Sequence, residues 1–114
     1  GIAPDSALAL DLALLCDVFA TLTGAATLGL RVDVTDRATC PRFHVDRVTL
    51  RLMTTYRGPA TEWLEGETVR RAQVHDVLFA KGEAWPGLAC DPCVHRSPQP
   101  PAGRTRVLVT LDAL

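Results

Sequence analysis

The apolar residues of this chain change their spacing once, at Gly24, and that break constrains the fold more than any other feature. Before it, Leu8, Leu12, Leu15, Phe19 and Leu22 recur at steps of four, three, four and three. That spacing draws one stripe along an α-helix, expected over about residues 6–23. Asp5 or Ser6 can accept from the first free amides, and Gly24 suits the stop. Cys16 lies beside the stripe and reads as a small core residue. From Thr27 the period is two: Leu28, Leu30, Val32 and Val34 point one way, Thr27, Arg31 and Asp33 the other. That is a half-buried strand. Further short strands are expected at 43–45, 48–56, 61–64 and 74–80, at His95, and at 104–111, while Thr68 to Gln73 shows no clear period. One helix followed by short strands between Gly/Pro turns predicts a mainly β sandwich or barrel with a helical prelude.

The 114 residues suffice for one core, so a single domain is expected over 1–114, with the β-barrel core at about 27–112. Twelve basic and thirteen acidic residues leave a formal net charge of −1, which gives no electrostatic reason to expect nucleic acid or an anionic membrane as partner. No apolar run approaches the ~20 residues a bilayer-spanning helix needs. Gly1-Ile2-Ala3-Pro4 resembles neither a signal peptide nor a tag, so the chain reads as a fragment, its domain truncated. The four cysteines are unevenly placed and do not form a secreted disulfide framework, which makes a reducing cytoplasm the default.

Chemistry concentrates in two places. In Cys40-Pro41-Arg42-Phe43-His44-Val45-Asp46-Arg47, strand alternation puts His44 and Asp46 on one face. Val94-His95-Arg96-Ser97-Pro98 offers a second imidazole. Two histidines and a carboxylate form the facial set that holds non-haem Fe(II) and leaves positions open for substrate and oxygen. The same three with a water would suit tetrahedral zinc. The bland alternative is a His–Asp hydrogen bond at a strand end. Cys90-x-x-Cys93, with Cys40 as a third ligand, is a candidate second metal site; a redox pair or unligated thiols are the other readings. Tyr56, Trp63 and Trp85 either wall a substrate pocket or belong to the core. His75 is expected to face solvent.

Several blocks also carry a resemblance: Cys40 to Asp46, Thr55-Tyr56-Arg57-Gly58-Pro59, Thr61-Glu62-Trp63-Leu64, Lys81-Gly82-Glu83-Ala84-Trp85-Pro86-Gly87 and Val94 to Pro98. From about Asp33 to the C-terminus they resemble a bacterial family of domains of unknown function, the one numbered eighteen twenty-six. Its members often lie near zinc-homeostasis genes. More loosely, His44-x-Asp46, a distal His95 and a following arginine resemble the Fe(II)/2-oxoglutarate dioxygenases. That likeness implies a double-stranded β-helix of the jelly-roll or cupin-like kind, with His44, Asp46 and His95 on iron and a basic residue of the last strand on the far carboxylate of 2-oxoglutarate. Arg104 and Arg106 share one face of that strand, so alternation does not choose between them. Arginine suits the role because its planar fork binds a carboxylate bidentately. The substrate implied is a small molecule or a protein side chain. The alternative is a non-catalytic, cupin-like zinc-binding protein of bacterial metal homeostasis. The chain is short for a complete dioxygenase.

Overall fold

The computed structural model of the chain describes residues 6–87 and 91–114. It is mainly β, with one N-terminal helix and two antiparallel sheets. Helix α1 spans Ala7–Thr23. The Ser6 hydroxyl accepts from the Ala9 amide at 3.1 Å, satisfying one of the donors a helix start leaves free. Gly24 closes the helix in the left-handed region (φ 71), its amide donating to the Ala20 carbonyl. Leu12 and Phe19 of the expected stripe are buried, but Leu22 is 60% exposed. The helix has turned away from the sheet by its last turn, where Thr23 donates to the Phe19 carbonyl.

Strands β1 (Leu28–Thr35), β2 (Leu50–Arg57), β5 (Val77–Lys81) and β7 (Arg106–Ala113) form a sheet of order β1-β7-β2-β5; β3 (Glu62–Glu65), β4 (Thr68–Arg71) and β6 (His95–Arg96) form a second of order β4-β3-β6. His44 makes an isolated antiparallel bridge with His95, which adds its segment beyond β6. In chain order the backbone therefore passes from the first sheet (β1) to the second (His44) and back (β2), through the hairpin β3–β4 of the second, then again first, second, first.

Alternation sorts the two faces of the four-stranded sheet. Leu52 and Leu111, paired in register, pack with Phe19 beneath the helix, flanked by Leu15, Cys16, Leu28 and Leu50. Each such fully buried side chain contributes about 1.5–3 kcal/mol by leaving water. The neighbouring residues point the other way: Met53 and Leu108 pack with Ala80, Leu78 and Cys93. Cys93 lies just before β6, so this second cluster is the apolar filling between the sheets. On the same inward face, Arg51 and Asp112 stand opposite each other, and Arg106 lies six residues before Asp112 along β7. The inward face is thus apolar at its centre and charged at both ends. Among the described residues no helix is long and apolar enough to cross a membrane.

Candidate metal centre

His44, Asp46 and His95 meet at the edge of the second sheet. One ligand atom from each lies within 4.8 Å of the others. Backbone pairing brings them there: the His44 amide donates to the His95 carbonyl at 2.9 Å, and the His95 amide returns the bond at 3.0 Å. Directly opposed residues in an antiparallel pair present their side chains on one face, and the two imidazole centroids are 4.6 Å apart. Asp46, two residues past His44, is fixed through its own backbone. Its carbonyl accepts from the Glu83 amide at 2.9 Å, while Val48 and Thr49 accept from Ala84 and Gly82. Gly82 is required here, because a Cβ would lie 1.9 Å from the Val48 carbonyl oxygen.

Both rings are oriented alike. His44 Nδ1 is 2.8 Å from the Arg42 carbonyl and His95 Nδ1 is 3.1 Å from the Cys93 carbonyl. A carbonyl only accepts, so each Nδ1 carries a proton, and each Nε2 is left facing the carboxylate. His44 Nε2 lies 3.4 Å from Asp46 Oδ1, and His95 Nε2 lies 3.1 Å from Oδ2. Arg51 approaches the same Oδ2 at 3.1 Å, and its fork is aimed at Asp112, with bonds of 2.7 and 2.9 Å. Asp46 Oδ2 is buried and, among the described residues, receives no hydrogen bond of proper geometry. A buried carboxylate oxygen left unsatisfied is costly. Two imidazole nitrogens and this oxygen, each turned inward with its other positions tied down, fit a divalent cation.

The charges agree. Burial pushes the Asp46 carboxyl up, but His95, Arg51 and His44 outweigh it and hold it below the usual carboxylate range. Burial works against the His95 imidazolium, yet the Asp46 carboxylate and the Cys93 carbonyl raise its pKa to about 10. In the metal-free chain the proton on His95 occupies the place a cation would take.

The two candidate arginines separate. Arg104 is exposed and precedes β7. Arg106 is 2% exposed. Its Nε donates to the Pro59 carbonyl at 2.8 Å, Nη1 to the Ser97 hydroxyl at 3.1 Å and Nη2 to the Thr61 hydroxyl at 2.9 Å. No carboxylate pairs with it among the described residues, and burial alone lowers its pKa. Ser97 lies two residues beyond His95, which links this cation to the distal histidine.

The aromatic candidates also part company. Trp63 stands opposite His95 in the β3–β6 register, on the side of the cluster. Trp85 is 40% exposed, in the loop that holds Asp46. Tyr56 instead donates to Asp11 of the helix, which corrects its assignment to the pocket: a phenol bonded to α1 is on the helix side. Burial, then Asp11, pushes its pKa up. His75, expected on a strand, is in a turn with φ 75 and meets the Tyr56 ring edge-on. Of the second candidate metal site, Cys90 lies outside the described residues. Cys40 is exposed and Cys93 packs against Met53, Ala80 and Leu108. Among the described residues neither joins a metal-ligating group.

On the opposite face of the second sheet, Arg96 lies over the Phe43 ring, 4.2 Å from its centroid. Glu62 binds both Arg96, at 2.9 Å, and Arg71, at 2.6 Å. Burial raises the Glu62 carboxyl, but the two arginines outweigh it and hold it low. Phe43 and Arg96 are the neighbours of His44 and His95, so this stack clamps the two ligand-bearing segments together. Sequence reading missed Arg51, Asp112 and Glu62, because each acquires its partner only through strand register.

The family model described as Protein of unknown function (DUF1826) matches residues 2–112, and the chain belongs to that family. The match takes in α1 and β1, well before the Asp33 at which the resemblance in the sequence begins. No curated protein and no solved structure matches the chain.

Proposed function

We propose that this member of the DUF1826 family is a metal-binding protein of double-stranded β-helix architecture, holding Fe(II) through His44, Asp46 and His95 and taking 2-oxoglutarate as cosubstrate. The observation that carries the metal reading is the inward-turned donor set, with the buried Asp46 Oδ2 receiving no hydrogen bond of proper geometry among the described residues. The strand order supports the architecture. Counting the His44 segment, eight strand positions form two four-membered sheets, and the chain alternates between them as a jelly roll does. Arg106 supports the cosubstrate. A buried guanidinium surrounded by two hydroxyls and a carbonyl, with no acidic partner among the described residues, is suited to a carboxylate that arrives from outside. Trp63, beside His95, would wall the space between.

When bound, the iron would supply the oxidative chemistry; the chain supplies orientation and charge. The Arg42 and Cys93 carbonyls fix both imidazoles, Arg51 offsets the charge of the Asp46 carboxylate while no metal is bound, and Arg106 with Ser97 and Thr61 receives the cosubstrate's far end.

Anaerobic purification with elemental analysis tests the metal, and calorimetric titration of 2-oxoglutarate tests the cosubstrate. The expected result is stoichiometric iron and binding of 2-oxoglutarate that falls ~100-fold in Arg106→Met with metal content unchanged, a loss on the order of two charge-assisted hydrogen bonds. Zinc that survives dialysis, with no 2-oxoglutarate binding, would favour the non-catalytic zinc protein. Unchanged metal content in His44→Ala would refute both.

A further inference from the structure

Eleven of the twelve basic residues are arginines, and most of them have an acidic partner. Arg31, Arg37, Arg47, Arg51, Arg70, Arg71 and Arg96 each lie within 3.5 Å of a carboxylate. Four have none among the described residues: Arg42, Arg57, Arg104 and Arg106. Two of these four line one cleft, and a third lies behind it. Arg57, at the end of β2, and Arg104, just before β7, line one cleft of about 930 Å³. Arg106 lies behind its wall, holding the Pro59 carbonyl. Among the described residues no acidic side chain lines the cleft.

The cleft is built on constrained backbone. Gly58 (φ 83) turns where a Cβ would lie 2.9 Å from the Thr105 carbonyl oxygen. Gly103 (φ 75) turns on the other side, and the Arg104 amide donates to the Pro101 carbonyl at 3.0 Å. Pro59 and Pro101 give the cleft rigid apolar surface in the same lining as the two arginines. A surface that pairs its arginines almost everywhere else and gathers unpaired ones in a cleft without acids holds positive charge in reserve for a ligand.

We propose that this cleft binds a phosphate monoester, its phosphate held between Arg57 and Arg104 and its organic part against Pro59 and Pro101. Two guanidiniums carry a charge of about +2, which a phosphate monoester at about −1.5 to −2 balances and a single carboxylate does not. Its three acceptor oxygens also match two planar forks. The volume exceeds what a bare phosphate fills and lies within the usual range for small-molecule sites. The proposal goes beyond the metal reading and stands without it, since neither Arg57 nor Arg104 touches the cluster. Occupancy would nevertheless reach the centre through Pro59, Arg106 and Ser97.

The test is a titration of the full chain, followed by the backbone amide resonances of Arg57, Gly58, Gly103, Arg104 and Thr105 at fixed ionic strength. The probes are phenyl phosphate, inorganic phosphate and benzoate. Phenyl phosphate should shift these amides saturably, and Arg57→Gln or Arg104→Gln should each weaken it at least tenfold. Arg42→Gln, which removes an equally unpaired arginine elsewhere, should leave it unchanged. Phenyl phosphate binding more tightly than inorganic phosphate supports the full proposal; equal affinity supports the phosphate site and removes the apolar contact. Benzoate binding as tightly as phenyl phosphate, an equal loss in Arg42→Gln, or no local shift would overturn it.

Discussion

Replacing Arg51 by methionine should move stability and metal affinity in opposite directions. In the metal-free protein Arg51 stands between two carboxylates, fully engaged with Asp112 and 3.1 Å from Asp46. Its side chain is 19% exposed, that of Asp46 11% and that of Asp112 24%. Removing one partner of a buried pair costs about 3–5 kcal/mol when burial is complete. Here both acids keep some water, and His95 still faces Asp46, so a loss of about 2 kcal/mol is expected, within the span between exposed and buried pairs. The metal sees the reverse. A positive charge ~5 Å from a bound divalent cation opposes it by about 7 kcal/mol at an effective dielectric of ~20. Asp112 cancels part of that, so the variant should gain at least about 1.4 kcal/mol, or tenfold, in metal affinity. Urea unfolding in chelator measures the first quantity and zinc titration the second. If Arg51→Met bound zinc more weakly, in proportion to its lost stability, Arg51 would be a scaffold for Asp46 and not a competing charge, and the reasoning would fail.

Two further outcomes follow from the same geometry. Because His95 is protonated up to about pH 10 in the metal-free chain, metal uptake at pH 7 should release about one proton. Affinity should then rise roughly tenfold per pH unit, measurable by calorimetry in buffers of different ionisation enthalpy. Without metal, the raised pKa means that this ion pair stabilises fully below pH 6.5 and is lost as pH rises towards 10, so chelator-treated protein should unfold more easily at pH 10 than at pH 6. Gly82→Ala pushes a methyl group into the Val48 carbonyl. It should cost at least ~2 kcal/mol in urea unfolding and lower metal retention by displacing the loop that holds Asp46; wild-type values for both would show that this contact is not needed.

The sequence made some of this legible and withheld the rest for physical reasons. The change of period at Gly24 located α1 and β1, because periodicity depends only on which residues face a core. Strand alternation put His44 and Asp46 on one face, and the structure brings their ligand atoms and that of His95 together. Alternation placed Arg104 and Arg106 together and could not separate them; the strand begins at Arg106, and Arg104 falls in the loop before it. The hairpin β3–β4 was not legible at β4. All four residues of Thr68–Arg71 are exposed, so nothing there alternates, and the hydrogen bonds of an edge strand leave no mark on composition. Leu22 matches the helical stripe but outruns the sheet beneath it. Cys93 looked like a ligand by spacing to Cys90, whereas its packing with Met53, Ala80 and Leu108 depends on contacts distant in the chain.

The arrangement of charge ties these features to one another. Along the inward face of β7, Arg106 and Asp112 lie six residues apart, which is ~20 Å of extended chain, with Leu108 and its apolar cluster between them. Such polar ends raise the cost of the interior, and a core built for stability alone would have apolar side chains there. Asp112 compensates Arg51, which faces Asp46; among the described residues Arg106 is compensated only by neutral oxygens. On the function proposed above, one end would take a cation and the other an anion. If both ligands bind between the sheets, each should strengthen the other, because the cation at Asp46 and the anion at Arg106 are joined through His95 and Ser97 on one segment. That coupling must be reciprocal: the factor by which 2-oxoglutarate tightens the metal has to equal the factor by which the metal tightens 2-oxoglutarate.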